Sequence, residues 1–291
     1  MISAEDRAKV LIEALPYLQQ FREAILVIKF GGSAMEDSHL VNLVLRDIAL
    51  LDVVGMHPVV VHGGGKAITQ KMNASGLKAH FVQGHRVTDL ASIQLVETVL
   101  DQEVNPVLVK TLESFDVYAR GISGKEVFQA HQASPLILEN GESVDLGFVG
   151  EVTHVNKKPL LACLRHSIIP VLSPLGCDAQ GHCLNVNADL AAMQAAIALQ
   201  ATKLIYLSDV PGILRDRNDE KSLISSVNEV DVEQLKKEGV LSGGMLPKIE
   251  SALDAVKRGV GKVQFVDGRK PHSLLLELFT DAGFGTEIVL E

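Results

Sequence analysis

Five apolar segments rich in valine and isoleucine restrict the possible folds of this chain more than any other feature. They lie at residues 25–30, 58–63, 168–173, 203–210 and 262–267, and helix-like segments separate them. Segments of this length without polar alternation are typical of strands covered on both faces, and their alternation with helices indicates parallel pairing. The sequence therefore predicts an α/β fold, with a mainly parallel central sheet in an αβα sandwich.

Helical patterns are predicted at residues 37–53, 65–75, 89–112, 157–166, 188–200, 231–238, 246–259 and 272–281. Between residues 115 and 155 the pattern changes to short strands and hairpins, with a glycine-bearing turn at 139–142. We interpret this stretch as a flap on the substrate side, and we expect a second hairpin at 175–186. The chain then divides into an amino-terminal lobe at 24–180 and a carboxyl-terminal lobe at 181–291.

Residues 1–23 form a separate unit before the first core strand. Apolar residues recur there at helical spacing: Val10, Leu11, Ala14, Leu15, Leu18 and Phe21. We expect Pro16 to kink or restart this helix, because proline lacks a backbone N–H. An amphipathic helix in this position either packs on its own domain or forms an oligomerisation arm, and both alternatives stay open.

The charge balance and the cysteine count limit the class of function. The net charge is −9 and no run of lysine or arginine occurs, so most of the surface would repel a nucleic-acid backbone. No apolar segment reaches the roughly 20 residues that cross a bilayer, and we expect no membrane span. Three cysteines cannot all pair and no signal-peptide pattern opens the sequence, so we expect a reducing cytoplasm.

Two glycine-rich turns follow two of the predicted strands. Residues 29–33 have the sequence KFGGS, residues 62–66 have the sequence HGGGK, and a helix is predicted after each turn. Such turns let backbone N–H groups approach an anion, and the helix adds the positive end of its dipole. The P-loop, dinucleotide-binding and protein-kinase signatures are absent. The tandem turns therefore indicate a different kind of phosphate site, at the carboxyl ends of parallel strands.

Two lysines are candidates to meet the bound anion. Lys29 interrupts an apolar strand, which is unfavourable unless its charge is compensated. The alternative is a lysine whose head reaches solvent at a strand end. Lys248 follows a Gly-Gly pair near a predicted helix start, and without that pair it would be interpreted as a surface lysine.

Polar residues in two later turns are candidates for the same site. Asn185, Asn187 and Asp189 lie within five residues between a strand and a helix, where Asn187 or Asp189 could simply be a helix cap. Asp209 opens the turn DVPG after a buried strand, so it either serves the turn or shapes a nucleotide pocket.

Histidine and cysteine residues do not indicate catalysis or metal binding. We interpret His62 as a hydrogen-bond partner at a strand end rather than as a base. Cys177, His182 and Cys183 lack the spacing of a zinc site.

Six ordered motifs together resemble the amino-acid kinase family, whose fold is carbamate-kinase-like. They are KFGGS at 29–33, VHGGG at 61–65, GHRVTD at 84–89, NVNAD at 185–189, LSDVPG at 207–212 and GGMLPK at 243–248. The resemblance extends from about residue 24 to the carboxyl terminus. Within the family the chain is similar to the arginine-inhibited members that phosphorylate N-acetyl-L-glutamate.

The resemblance implies site residues in three groups. Catalytic roles fall to Lys29, Asp189 and Lys248; substrate binding falls to Gly64, Gly65, Arg86 and Asn185; nucleotide binding falls to Lys29, Gly32, Asp209 and Lys248. The cofactors implied are ATP and Mg²⁺, with the metal held mainly by the nucleotide phosphates. A carboxylate acceptor with a pKa near 4.3 is already ionised, so no general base is needed.

The resemblance also implies regulation and assembly. An arginine effector would be held by Tyr17, Lys203, His272, Glu277 and the backbone near Gly283. A homohexamer built as a trimer of dimers and a PII-type signalling protein are the partners implied. Two departures affect the flap and the substrate fit: Lys66 stands where many relatives carry proline, and residues 123–126 are poorer in glycine than usual.

Alternatives remain beside a kinase of N-acetyl-L-glutamate. A kinase of N-acetyl-2-aminoadipate acts on a substrate one methylene longer, which a pocket distinguishes by only about 1–3 kcal/mol. A catalytically inactive arginine sensor that binds partners is the alternative from another class, although retention of the three candidate catalytic residues disfavours it. We do not expect an aspartokinase or an acetylglutamate synthase, because no segment for their additional domains follows residue 291.

Overall fold

The computed structural model describes residues 3–138, 141–216, 218–241, 245–280 and 283–290. Its α-helices are α1 Ala4–Gln20, α2 Ser38–Val53, α3 Gly65–Ala74, α4 Leu90–Glu97, α5 Asn105–Glu113, α6 Lys158–Leu164, α7 Ala188–Leu199, α8 Glu229–Lys237, α9 Met245–Lys257 and α10 Ser273–Phe279. A π-helix, Thr98–Val104, joins α4 to α5, and short 3₁₀ turns lie at Gly32–Met35, Gly124–Glu126 and Glu220–Ser222.

The strands are β1 Ile25–Phe30, β2 His57–His62, β3 His80–Val82, β4 His85–Val87, β5 Tyr118–Ile122, β6 Phe128–Gln132, β7 Leu136–Ile137, β8 Ser143–Val144, β9 Val149–Val155, β10 Ile168–Leu172, β11 Leu175–Cys177, β12 Cys183–Val186, β13 Lys203–Ser208, β14 Ile213–Leu214, β15 Leu223–Ile224, β16 Ser226–Val227, β17 Lys262–Asp267 and β18 Gly285–Ile288. All five predicted apolar strands are therefore present.

The central sheet has eight strands in the order β16-β18-β17-β13-β1-β2-β10-β5. Pairing is parallel throughout except between β17 and β18. Strands of the predicted amino-terminal lobe form one half of the sheet, and strands of the predicted carboxyl-terminal lobe form the other. The predicted fold class, a mainly parallel sheet in an αβα sandwich, is confirmed.

Both faces of the sheet are covered by helices, as the uninterrupted apolar strands require. Val27 of β1 packs into a core cluster with α7 and α9, whereas Leu26 and Ile28 pack into a second cluster with α2, α5 and α10. Successive strand residues thus enter opposite layers. The alanine-rich sequence of α7 lets that helix lie close to the strands, because its contact positions carry small side chains.

The region between residues 115 and 155 departs from the prediction. Tyr118–Ile122 is not part of a hairpin but pairs in parallel with β10, as the edge strand of the central sheet. The following strands β6 and β9 close a small barrel with β11 and β12, and β11-β12 is the hairpin expected at 175–186. Of the predicted turn at 139–142, residues 139 and 140 lie outside the described residues.

Helix α1 continues through Pro16, so that proline does not restart the helix. Tyr17 and Leu18 pack against the core cluster that contains Phe21. Val10, Leu11 and Ile12 remain 57–69% exposed. Packing on its own domain therefore accounts for only the last turns of α1.

None of the described helices combines the length and the apolar character that a membrane crossing requires.

Candidate active site

A carboxylate that contacts two ammonium groups lies at the carboxyl end of the central strands. Nζ of Lys29, on β1, lies 2.9 Å from Oδ1 of Asp189, and Nζ of Lys248, on α9, lies 3.2 Å from Oδ2. Asp189 stands in the first turn of α7, where a carboxylate also meets the positive end of the helix dipole. The structure thus brings all three predicted catalytic residues together, although they are up to 219 residues apart in the sequence.

The charges of this cluster favour an anion. Burial alone would raise the pKa of Asp189, but the ammonium groups of Lys29 and Lys248 outweigh it and hold that pKa below its usual range. The carboxylate therefore stays ionised at neutral pH. Two positive groups and one negative group leave a surplus positive charge, and a polyphosphate would compensate it.

The two glycine turns lie side by side because β1 and β2 are adjacent parallel strands, with Phe30 opposite His62. Gly32 has a φ of +72°, and a β-carbon there would lie 2.6 Å from Oδ1 of Asp209. Gly64 is the residue before α3, and a β-carbon there would lie 2.5 Å from Leu100. The positive φ at position 32 favours glycine, whereas a side chain at position 64 would require Leu100 to move. Both turns line the same cavity.

A cavity of about 260 Å³ opens between the glycine turns and Asp189. Its lining includes Lys29, Gly64, Gly65, Arg86 and Asn185. Ligand cavities usually measure about 300–1,000 Å³. This cavity lies just below that range, so it suits a small ligand. All four predicted substrate-binding residues therefore face one cavity, and one of the predicted catalytic lysines lines it as well.

Arg86 supplies a buried positive charge to this cavity. The residue is only 7% exposed. Its Nη2 donates to the carbonyl oxygen of Gly65 at 2.9 Å and to Oγ1 of Thr69 at 2.8 Å, and its guanidinium lies 4.5 Å from the ring centre of Phe81. In the part of the chain that the structure describes, these neutral groups hold Arg86 and no carboxylate pairs with it. A ligand carboxylate would provide the missing countercharge.

The amide side chains near Asp189 have different roles. Asn187 caps α7, because its Oδ1 accepts hydrogen bonds from the backbone N–H groups of Asp189 and Leu190. Asn185 lies on β12, and its Nδ2 is 3.4 Å from Oγ1 of Thr88. Asn187 is therefore explained by capping, and Asn185 presents an amide to the cavity.

Asp209 joins the end of β13 to the first glycine turn. Its Oδ1 accepts hydrogen bonds from the backbone N–H of Ser33 at 2.8 Å and from Oγ of Ser33 at 2.7 Å. A second cavity, of about 490 Å³, begins at Asp209 and continues along residues 210–214 to Met245 and Arg269. The predicted nucleotide residues Gly32 and Asp209 thus lie between the substrate-sized cavity and this larger one. Of the motif at 243–248, residues 243 and 244 lie outside the described residues.

The predicted effector residues form two groups around α10. Nζ of Lys203 donates to Oε1 of Gln264 at 3.1 Å, and Nε2 of Gln264 donates to Oε1 of Glu277 at 2.5 Å. The backbone N–H of Phe284, next to Gly283, donates to Oε2 of Glu277 at 2.8 Å. Burial raises the pKa of Glu277.

The other two effector candidates lie at the ends of α10. Tyr17 makes an edge-to-face contact with Phe279, with ring centres 6.5 Å apart. His272 lies before the first residue of α10, and its Nδ1 is 2.6 Å from Oδ1 of the buried Asp47. No contact among the described residues joins His272 to Glu277.

Phe81 and Asn105 were not identified from the sequence. The hairpin β3-β4, which brings Phe81 and Arg86 to the cavity, has the turn Gln83-Gly84 with φ of 48° and 84°. Positive φ at both turn residues is typical of a type I′ hairpin, so Gln-Gly between two short strands was the available signal. Asn105 lies beside His62 within the core, and no sequence pattern indicates that contact.

Among the described residues, no group of three or more histidine, cysteine, aspartate or glutamate side chains is placed to hold a metal ion.

Lys66, where the sequence departs from many relatives, forms an ion pair with Glu36 and so joins the segments that follow the two glycine turns.

Comparison with known proteins identifies relatives over nearly the whole chain. A model of the amino acid kinase family matches residues 24–267. The chain is 48% identical over 290 residues to an acetylglutamate kinase of Akkermansia muciniphila, and the match covers 98% of this chain and 96% of that protein.

Solved structures show similar folds. An N-acetylglutamate synthase from Neisseria gonorrhoeae with coenzyme A and N-acetyl-glutamate superimposes with a TM-score of 0.83 at 28% identity, covering 98% of this chain and 63% of that one. Its complex with coenzyme A and L-arginine gives a TM-score of 0.79, again at 28% identity, covering 98% and 65%. The chain thus spans about two thirds of the synthase's length. A Giardia lamblia carbamate kinase bound to AMP-PNP, at 15% identity, shares the fold with a TM-score of 0.65, covering 92% and 99%.

Proposed function

The chain belongs to the amino acid kinase family, and from that premise we propose that it transfers the γ-phosphoryl group of ATP to the side-chain carboxylate of N-acetyl-L-glutamate. One observation carries the proposal: the carboxylate of Asp189 contacts the ammonium groups of Lys29 and Lys248 at the edge of a cavity that also contains Arg86. The relative at 48% identity is named for the same reaction.

The proposed substrate matches the charges of the small cavity. Arg86, at one side of the cavity, would bind the α-carboxylate, because its buried charge otherwise meets only neutral groups. Asn185 would donate to the same end of the substrate. The side-chain carboxylate would then lie near the turn that contains Gly64 and Gly65, whose backbone N–H groups precede α3.

The nucleotide would enter as MgATP from the larger cavity beside Asp209. Its γ-phosphoryl group would lie between the glycine turns, where Lys29 and Lys248 compensate its charge. Asp189 contacts both ammonium groups and would hold them in position for the phosphoryl group. Mg²⁺ would be held by the phosphate oxygens, which is typical of nucleotide sites.

Chemistry at this site needs positioning and charge compensation more than proton transfer. The acceptor carboxylate is ionised at neutral pH and attacks without a base. Burial lowers the pKa of His62, the nearest buried histidine, to about 4, so that ring is neutral at pH 7. Two lysines, the helix dipole of α3 and aligned reactants therefore supply the rate enhancement.

Arginine regulation is the second part of the proposal. Among the described residues, the partly buried carboxylate of Glu277 accepts hydrogen bonds from the Gln264 amide and the Phe284 backbone, and the positive charge of Lys203 favours its ionised form. A guanidinium could form a two-pronged pair with it. The similar synthase has been solved with L-arginine. Lys203, Tyr17, His272 and the Gly283 backbone complete the effector site that we propose.

Exposed apolar residues of α1 support a homo-oligomer. Val10, Leu11 and Ile12 are exposed in the single chain, which would be unfavourable unless another surface covers them. We propose that α1 is an oligomerisation arm. The hexameric stoichiometry and the PII-type partner stay predictions from the family resemblance.

A phosphorylation assay tests the proposed reaction. Enzyme, MgATP and N-acetyl-L-glutamate are incubated with hydroxylamine, which traps the acyl phosphate as a coloured hydroxamate. N-acetyl-2-aminoadipate is the matched substrate with one more methylene. We expect turnover with N-acetyl-L-glutamate and loss of turnover by at least 100-fold in Lys29→Ala, because the lysine acts mainly in the transition state. A higher kcat/KM for N-acetyl-2-aminoadipate would instead indicate a kinase of that substrate. No turnover with either substrate would favour a catalytically inactive arginine sensor.

A further inference from the structure

A set of buried hydrogen bonds involves His62, the first residue of the second glycine turn at 62–66. His62 is fully buried, and its Nδ1 is 2.7 Å from the carbonyl oxygen of Gly63. Its Nε2 is 3.2 Å from Nδ2 of Asn105, which also donates to the carbonyl oxygen of Val171 at 2.8 Å. A carbonyl oxygen only accepts, so Nδ1 must carry the ring proton and Nε2 must be the acceptor. These contacts assign a single tautomer to His62.

The same contacts fix the orientation of the Gly63–Gly64 peptide. The backbone N–H of Gly63 donates to the carbonyl oxygen of Phe30 at 2.7 Å, and its carbonyl oxygen accepts from His62. In a trans peptide, the C=O of one residue and the N–H of the next point in opposite directions. Because the Gly63 oxygen faces the buried ring, the Gly64 N–H points to the other side, where Gly64 lines the small cavity.

The Gly64 N–H has no helical partner of its own. Gly64 is the residue before α3, and among the residues that the structure describes no side chain caps that helix start. Backbone N–H groups at a helix start are left without intrahelical acceptors and attract anions. The direction of the Gly64 N–H therefore depends on the hydrogen bond that His62 donates to the Gly63 carbonyl oxygen.

We propose that His62 is a positioning residue, whose Nδ1–H holds the Gly63–Gly64 peptide so that the Gly64 N–H donates to the reacting carboxylate and the transferring phosphoryl group. This inference rests on the proposed function. The side chain of His62 acts through the backbone and does not touch the reactants, and the contact to Asn105 serves to fix the tautomer of the ring. The neutral ring preserves the arrangement at physiological pH, since burial keeps the pKa of His62 near 4.

Two substitutions at His62 separate this role from simple packing. His62→Asn keeps an N–H donor at the place of Nδ1 and removes the acceptor at Nε2. His62→Gln puts its amide near the place of Nε2 and removes the donor to Gly63. A preorganised donor in a transition state is typically worth 10²–10³-fold in rate. We expect His62→Gln to lower kcat at least tenfold with the KM for ATP within twofold, and His62→Asn to keep at least a third of kcat.

Equal losses of kcat in the two variants, or a larger loss in His62→Asn, would overturn the proposal. Either outcome would show that the donor at the place of Nδ1 does not set the rate. The melting temperature of each variant is measured alongside, so that a folding defect is recognised directly.

Nuclear magnetic resonance decides the inference even if the proposed reaction fails. Long-range ¹⁵N–¹H spectra of the full chain should show His62 as the Nδ1–H tautomer, and the Nε2–H tautomer would overturn the assignment. Mg²⁺ with a non-hydrolysable ATP analogue should shift the Gly64 amide resonance in the wild type and in His62→Asn but not in His62→Gln. An equal shift in all three proteins would contradict the positioning role, whatever the substrate proves to be.

Discussion

Asp189→Asn tests the charge arrangement of the site with almost no change of shape. The carboxylate contacts Lys29 at 2.9 Å and Lys248 at 3.2 Å. The side chain of Lys29 is only 13% exposed and therefore has little solvent to compensate its charge, whereas that of Lys248 is 43% exposed. Asparagine would leave two ammonium groups facing each other across a neutral amide.

The expected loss follows from simple electrostatics. Asparagine removes the attraction of the carboxylate for each ammonium group, while the repulsion between the two ammonium groups stays. For the largely buried Lys29 the lost attraction is roughly 2 kcal/mol, below the range for a fully buried pair. For Lys248, whose side chain is 43% exposed, solvent reduces the lost attraction to roughly 1 kcal/mol. The sum of about 3 kcal/mol, if it appears in the barrier, lowers kcat about 100-fold.

The hydroxamate assay measures this loss directly. Kinetic constants for MgATP and N-acetyl-L-glutamate are compared in the wild type, in Asp189→Asn and in Asp254→Asn. Asp254 is the control because it pairs with Arg258 on the exposed side of α9, the helix that also carries Lys248. The control should keep its kcat within twofold. A kcat of Asp189→Asn within threefold of the wild type would refute the electrostatic reasoning.

Four further predictions concern other parts of the molecule. Arg86→Gln should raise the KM for N-acetyl-L-glutamate at least 30-fold with a smaller effect on the KM for ATP, because a charge-assisted contact worth about 2 kcal/mol or more is lost; equal effects on both KM values would contradict its substrate role. The folded-state pKa of His62, about 4, lies below its ordinary value of 6.5, so the unfolded chain binds the proton first as the pH falls. The free energy of unfolding that the neutral ring contributes, up to about 3 kcal/mol, is therefore complete above pH 6.5 and is lost as the pH falls toward 4. Urea unfolding of His62→Asn should therefore depend less on pH between 6.5 and 4 than that of the wild type, and parallel profiles would count against the buried neutral ring. Glu277→Gln should weaken arginine inhibition at least tenfold without lowering kcat, measured as the arginine concentration for half inhibition, and unchanged inhibition would exclude the proposed effector site. Deletion of residues 1–22 should reduce both the oligomer mass in light scattering and the affinity for arginine, whereas an unchanged mass would exclude α1 as the arm.

The chemistry of the site was accessible from the sequence because its signals are local. Lys29 interrupts an apolar strand, and glycine pairs follow two such strands. Parallel strands end at one edge of a sheet, so the turns had to meet once the sheet was predicted. The link between Lys248 and Asp189 needed the resemblance, because a helix start that follows two glycines has many structural explanations.

The features that the sequence did not indicate depend on tertiary context. Tyr118–Ile122 lacks an apolar run because β5 is an edge strand, with Tyr118 75% exposed and Arg120 in its middle. Its sequence therefore predicts part of a hairpin and not a strand of the central sheet. Asn105 and His62 are 43 residues apart, and only the packing of α5 against the end of β2 brings their side chains together. Contacts of this kind have no periodicity that a sequence could show.

A structure with a transition-state mimic tests the central claim most directly. The full chain is crystallised with MgADP, aluminium fluoride and N-acetyl-L-glutamate. We predict that Nζ of Lys29 and Nζ of Lys248 both lie at hydrogen-bond distance, about 3 Å, from the fluoride ligands. A complex in which either ammonium group lies far from the aluminium centre would contradict the account.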